Sequence, residues 1–294
     1  MHRPTGAPAR GIERYLYDYE FHIRRSLKRV YDGNKFSPSG MQKRQWANIC
    51  SLHGRRPAVD IKSFHHDWST IDDRRANAAC LYEQFRARVW GLGYLRGQLS
   101  ADYNELHHLT FASSADRRPS GDLARFNLPR YRRRIRSALQ ELQGVHPGMW
   151  AFGMVEISAT GNLADGYVFE PHIHLLINGV PKDALRETLE ALLPRTTKGS
   201  HPIMIKPVPD QDNLGSGLSY FLKFAPELRT KFLTAEGRAG KGRTNLMQGN
   251  LKTEWLAWLA AHRIDELLIV IGLRPEIMRQ FRLCELQHLI EELP

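Results

Sequence analysis

The chain has 294 residues, a formal net charge of +11, a pI near 9.7 and 42% hydrophobic residues. That apolar content can fill a real core, which excludes a disordered chain, and the excess of Lys and Arg favours a polyanionic partner, because cations that neutralise phosphates release condensed counterions. Cys50, Cys80 and Cys284 are far apart, odd in number and without CxxC spacing, which excludes a disulfide scaffold or zinc ribbon and fits a reducing cytoplasm.

The N-terminus lacks the apolar core of a signal peptide, and no run approaches the roughly 20 apolar residues that span a bilayer. The expectation is a soluble, cytoplasmic protein with no membrane partner. Residues 1–100 form a basic, mainly helical N-terminal region, with Arg24, Arg25, Lys28, Arg29, Lys43, Arg44, Arg55 and Arg56 among apolar residues. Within it, Tyr82, Phe85, Val89 and Leu92 recur at helical spacing in Leu81 to Leu99. Such a helix suits packing on the main domain or an accessory DNA-binding role.

Residues 101–226 carry the densest pattern. Leu106 to Phe111 reads as a strand, and Ser113 to Gly121 as polar turns. A helix is predicted over Leu128 to Leu142, with Pro129 in its first turn and Gly144 past its end. The basic run Arg125, Arg130, Arg132, Arg133, Arg134 and Arg136 falls here. On a helix these arginines cover more than one face, so only some can reach DNA phosphates. Trp150 to Ser158 and Tyr167 to Asn178 read as two strands of a hairpin, joined through turn formers from Gly161 to Gly166.

Next come a helix over Pro181 to Leu193, with Leu185, Leu189, Leu192 and Leu193 on one stripe, and a strand over Pro202 to Val208. Leu214 to Phe224 reads as a helix bearing Tyr220. The order strand, helix, strand, strand, helix, strand matches a split βαβ, ferredoxin-like arrangement. The expected fold class is therefore α+β, a central antiparallel sheet flanked by helical N- and C-terminal regions. Residues 227–252, rich in Gly with Arg238, Lys241 and Arg243, read as a basic linker. Residues 253–294 read as a helical C-terminal region, with candidates at Trp255 to Ala261, Ile264 to Ile271 and Pro275 to Leu293. The apolar run Leu267 to Leu273 is expected inside a buried helix.

The hairpin carries the chemistry. In a strand, His172 and His174 share one face while Ile173, Leu175 and Ile177 face the other way. Both imidazoles can then hold one metal ion while the apolar neighbours enter the core. A third ligand should come from the adjacent strand, and pairing about the Asn162 to Gly166 turn brings Glu156 opposite His172 or His174. Two imidazoles and a carboxylate with open positions suit Mn²⁺ or Mg²⁺, and Zn²⁺ is also compatible. Such an ion can polarise a phosphodiester oxygen. Tyr220 offers a phenol nucleophile, and with a phenol pKa of about 10 it needs help at neutral pH. Lys223, one helical turn on, can favour the phenolate or hold the phosphate.

Three segments in this order resemble a known family: His107-His108-Leu109-Thr110-Phe111-Ala112, Pro171-His172-Ile173-His174-Leu175-Leu176 and Ser219-Tyr220-Phe221-Leu222-Lys223-Phe224. They resemble the first strand motif, the HUH motif and the YxxK motif of HUH endonucleases, particularly rolling-circle replication initiators of plasmids and phages with a single catalytic tyrosine. The resemblance covers about residues 105 to 225. It implies a divalent metal on His172, His174 and Glu156, and attack by Tyr220 on single-stranded DNA at an origin. The products would be a 5′-phosphotyrosine link and a free 3′-hydroxyl. It implies single-stranded DNA or an origin hairpin as partner, with host helicase and polymerase, since no Walker A sequence is present. Single-tyrosine HUH transposases and relaxases share these residues, and a non-catalytic nucleic-acid-binding protein on the same sheet is the alternative from another class.

Overall fold

The computed structural model describes residues 44, 46–52, 77–81, 84, 87, 91, 105–194, 202–208, 224–233 and 239–273. In chain order these give β1 (His107–Ala112), β2 (Arg118–Pro119), α1 (Leu128–Val145), β3 (Trp150–Asn162), β4 (Gly166–Asn178), α2 (Lys182–Glu190) and β5 (Ile203–Pro207). Then follow β6 (Glu227–Leu233), β7 (Ala239–Leu246), α3 (Gly249–Ala260), α4 (Ile264–Leu267) and β8 (Leu268–Ile271). One sheet runs β5-β1-β4-β3-β6-β7, with β2 added to β4 and β8 to β3. Its pairings are antiparallel except β3 with β6. The result is an α+β fold, a mixed and mostly antiparallel sheet flanked by helices.

The longest ladder is β3 with β4, in unbroken register from Trp150↔Asn178 to Asn162↔Gly166. Its turn is locked by side chains: Asn162 Oδ1 accepts from Ala164 N at 2.9 Å and Asp165 N at 2.7 Å, and Asn162 Nδ2 donates to Asp165 Oδ2 at 2.8 Å. Gly161 and Gly166 close it at φ +143 and +79, a region that L side chains avoid.

Strand alternation divides the sheet into two unlike faces. Leu109, Phe111, Val155, Ile173, Leu175 and Ile177 form an apolar face with no exposed surface. His107 on that face lies beside Val180 and Lys182, where α2 begins, and α2 packs against α1. These helices bury Tyr131, Ile135, Leu139, Leu142, Leu185 and Leu189, the apolar stripes such a face requires. The other face carries His108, Thr110, Glu156, His172 and His174.

Most elements fall where the pattern puts them, and the departures have local causes. Helix α1 runs on to Val145 because Gly144 keeps a negative φ and does not act as a left-handed stop. It ends at His146, which leaves the helical region at φ -121, ψ 80 just before Pro147. The expected linker at 227–252 instead holds β6 and β7: β6 pairs with the edge of β3, and glycine composition does not prevent β7 from pairing with β6. The helix expected over Ile264 to Ile271 breaks after Leu267. Leu268-Ile269-Val270-Ile271 pairs with Ala151 to Met154 as β8, as β-branched residues favour. The helix expected over Leu214 to Phe224 lies outside the described residues, apart from Phe224 itself, as does Pro275 to Leu293. Among the described residues no helix is long and apolar enough to cross a membrane.

Gly153 sits where a Cβ would collide with the backbone carbonyl of His174 and the side chain of Leu175. Gly153→Val must therefore displace β4 next to His174. Urea denaturation is expected to show a loss of about 2–4 kcal/mol, well beyond that of a surface substitution.

Candidate metal centre

Glu156 on β3 is the direct cross-strand partner of His172 on β4, and His174 lies one step further along the same face. Glu156 Oε2 is 3.4 Å from His172 Nε2 and 3.4 Å from His174 Nε2. One ligand atom from each residue lies within 4.8 Å of the others, and the two imidazole rings meet edge to face at 86°. The site is screened from water, with the Glu156 and His174 side chains each only 6% exposed. These three residues form a buried cluster able to chelate a divalent metal.

The outer nitrogens of both rings are already committed. His172 Nδ1 lies 2.9 Å from the Glu170 carbonyl oxygen. A carbonyl can only accept, so Nδ1 carries the proton and the Nε2 lone pair of the neutral ring points at Glu156. His174 Nδ1 is held at 3.0 Å from Thr110 Oγ1 and 3.3 Å from His108 Nε2 on β1, which turns its Nε2 toward Glu156 as well. Further along β4, the Arg117 guanidinium pairs with the Glu170 side chain at 2.8 Å. Ring orientation is thus set from two neighbouring segments, as metal-binding imidazoles require.

Glu156 gives the clearest fit to a cation. Its Oε1 is buried with no hydrogen-bond partner, while Oε2 serves both imidazoles. Leaving a buried acceptor unmade costs about 1–3 kcal/mol, more for a charged group, and a cation between the three side chains would remove that cost. The donor set fits a divalent ion of the Mn²⁺ or Mg²⁺ kind, and Zn²⁺ equally by ligand type.

Proton affinities follow the same geometry. Burial pulls the His172 imidazolium down, but the Glu156 carboxylate, through hydrogen bond and charge, together with Glu170, outweighs it and the net displacement is upward. The Glu156 carboxylate thus favours positive charge on His172, the charge a bound cation would also supply. His108 goes the other way, to about 4, through burial and then the nearby Lys206 charge, so it is neutral at ordinary pH.

Among the residues singled out from sequence, Glu156, His172 and His174 come together, whereas Tyr220 and Lys223 lie outside the described residues. The arginines belong to α1 and the turn before it, with α1 behind the sheet from the histidines. Arg132 donates to the Leu268 carbonyl at 2.8 Å, and Arg134 pairs with Asp116 at 2.6 Å, so both serve the fold. Arg125 pairs with Asp122 at 3.1 Å on the surface, Arg130 and Arg133 are exposed, and Arg136 is half-buried. Thr110 and the Glu170 carbonyl were not singled out as supports of the histidines. Thr110 was legible as the alternate residue after His108 on a strand beside β4; a backbone carbonyl leaves no mark in composition.

No protein family, curated protein or solved structure matches the chain. The cluster therefore stands on its own geometry.

Metal binding should be visible in thermal unfolding. A raised His172 pKa means that the imidazolium contributes stability below its unfolded value near 6.5, which is lost as pH rises through the higher folded value. Metal needs the neutral ring, so the melting-temperature gain from Mn²⁺ is expected to be small at about pH 6 and larger at about pH 8. Glu156→Gln should remove that gain and lower the His172 pKa measured by NMR. Thr110→Val, by freeing the His174 ring, should weaken Mn²⁺ affinity about 10-fold or more while leaving the metal-free melting temperature nearly unchanged.

Proposed function

We propose that this protein is an HUH-type endonuclease and strand transferase, which nicks single-stranded DNA through Tyr220 and so initiates rolling-circle replication of a plasmid or phage. The observation that carries the reading is the convergence of Glu156, His172 and His174 on one point of the sheet, with both imidazoles turned so that Nε2 faces the carboxylate. The topology supports it. Strands β1, β3, β4 and β5, joined through α1 and α2, stand in the sheet order β5-β1-β4-β3, the order of a split βαβ arrangement. The net charge of +11 suits a polyanionic substrate.

In this reading Glu156, His172 and His174 hold the ion, Thr110 and the Glu170 carbonyl fix the rings, and Lys223, three positions after Tyr220 in the sequence, favours its phenolate. A divalent ion bound there supplies Lewis-acid polarisation of a phosphodiester oxygen and fixes the phosphate for in-line attack. The phenol oxygen of Tyr220 forms a bond to phosphorus, the bond from phosphorus to the 3′-oxygen breaks, and that oxygen takes up a proton. A 5′-phosphotyrosine and a free 3′-hydroxyl result, and the ester retains the energy needed to rejoin a strand. The partners are single-stranded DNA or an origin hairpin, with host helicase and polymerase acting afterwards.

Covalent capture tests the proposal. Full-length protein incubated with single-stranded DNA and Mn²⁺ should give an adduct on denaturing gels that EDTA abolishes. Tyr220→Phe should lose the adduct while keeping the Mn²⁺-dependent thermal shift. An equal adduct yield from Tyr220→Phe would overturn the assignment of the nucleophile.

A further inference from the structure

The face of the sheet that holds the metal cluster carries a cation on either side of it. Glu170 lies two residues before His172 on β4, so its side chain shares the cluster's face. There the Arg117 guanidinium lies 2.8 Å from Glu170 Oε1, with the Glu170 side chain 15% exposed and the Arg117 side chain 40% exposed. The pair turns its negative end inward and its positive end to solvent. Oε1 has no aligned hydrogen bond, so charge holds the contact and the N–H fork of Arg117 keeps its donors for an incoming acceptor. The segment around it is fixed: Asp116 pairs with Arg134 of α1 at 2.6 Å, Arg118 is the register partner of Phe169, and the Arg118 guanidinium donates to the Arg117 carbonyl at 2.6 Å.

The second cation lies past the other end of the cluster. Lys206 on β5 is the register partner of His108, which is in turn the partner of Leu176 on β4. Partners share a face, and Leu176 lies two residues beyond His174, so Lys206 stands on the cluster's face as well. It is exposed, on the outermost strand of that side of the sheet. Between the two cations, β1 sets Ala112 opposite His172, and Thr110 opposite both His174 and Met204. A methyl therefore replaces a large side chain beside the ligands, and Met204, 38% exposed, adds an apolar surface on the same face. From the level of Glu170 to that of Leu176 is on the order of 20 Å of strand, with the cluster at its middle.

We infer that single-stranded DNA runs lengthwise along the β1 side of this face, with its phosphates held by Arg117 and Lys206 on either side of the cluster and a base resting on Met204. The inference rests on the proposed reading of the cluster as a DNA-nicking site. A stacked strand places a phosphate every 3.4 Å or so, so about six nucleotides span the two cations and the phosphate at the metal falls near their midpoint. Arg117 and Lys206 position the strand by charge without reading bases, so their loss weakens binding alike on different sequences.

The experiment measures anisotropy of a fluorescein-labelled 20-mer single-stranded DNA over a salt series, with full-length wild type, Arg117→Ala, Lys206→Ala and the double variant. Each single variant should reduce the salt-dependence slope by about 0.7, the value for one lost phosphate contact on a single strand, and the double variant by about 1.4 with binding about tenfold weaker near 0.15 M salt. The control pair Lys182→Ala/Arg243→Ala removes two exposed cations from the other face: Lys182 lies beside His107, and Arg243 precedes Thr244, the partner of Arg229, which pairs with Thr160. It should keep the wild-type slope. Lys206 is exposed on an edge strand, so Lys206→Ala should also keep the Mn²⁺-dependent thermal shift and carries the test if Arg117→Ala fails to fold. A folded single variant with the wild-type slope would overturn the inference, and so would an equal loss of slope in the control pair, which would assign the effect to net charge alone. The readout is non-covalent, so it stands apart from the Tyr220 test: failure to form an adduct leaves the salt slope interpretable, and an unaltered slope leaves adduct formation intact.

Discussion

Everything the site does depends on the register of β3 against β4. The pairing Glu156↔His172 belongs to a ladder that begins at the Asn162↔Gly166 turn and has no bulge along its length. Side chains alternate with period two, so a slip of one residue would send Glu156 into the apolar face and leave the two imidazoles without a carboxylate. Asn162 sets the starting point by binding Ala164 N and Asp165 N. The apolar residues of β3 hold the rest, since the same slip would bring Val155 and Ile157 out of the core toward the polar face. Core burial and ligand geometry are thus specified by one constraint.

That constraint puts a carboxylate where water would ordinarily solvate it. Burying charge without compensation is costly, and the protein answers with two imidazoles on Oε2 and nothing on Oε1. The upward displacement of the His172 pKa has the same origin: the carboxylate demands a positive neighbour strongly enough to overcome the burial of the ring. The proton and a divalent cation compete for one electrostatic role. Thr110 and the Glu170 carbonyl decide which ring nitrogen meets the incoming charge, so orientation comes from β1 and from the β4 backbone while affinity comes from Glu156.

The legible part of this arrangement was the part written in alternation. His172 and His174 with Ile173, Leu175 and Ile177 declare a strand with two unlike faces, and the turn residues from Gly161 to Gly166 declare its partner, so Glu156 could be placed before any coordinates. The order strand, helix, strand, strand, helix, strand, which is β1, α1, β3, β4, α2 and β5, was legible from periodicity too, whereas the two-residue β2 was hidden in a stretch of turn formers. What alternation does not carry is tertiary choice. The glycines of 239–246 look like a linker because local propensity is low, yet β6, itself laid along β3, supplies an edge that makes them a strand. Leu268 to Ile271 is apolar enough for a buried helix, and only the competing edge of β3 at Ala151 to Met154 makes it a strand. The structural duties of Arg132 and Arg134 were equally hidden, because a charge run does not say which of its members find a carbonyl or an aspartate inside the fold.

The far edge of β3 shows how the C-terminal segment is tied to the site. Strand β8 pairs with Ala151 to Met154 and β6 with Ala159 to Gly161, so Val155 to Ser158, the stretch containing Glu156, has no strand in register on that side among the described residues. Helix α3 covers the gap. Trp255 Nε1 donates to the Ile157 carbonyl at 3.0 Å, satisfying an acceptor the ladder leaves over. Its neighbour Glu254, itself buried, accepts from Gly121 N at 2.7 Å and Leu123 N at 2.8 Å, which fixes the turn leading into α1. One turn of α3 therefore braces the strand beneath the carboxylate and the loop entering the helix behind the sheet. A site whose ligands must stay in place depends on such supports, and here they come from residues more than ninety positions beyond Glu156, at a strand edge that no local pattern announces.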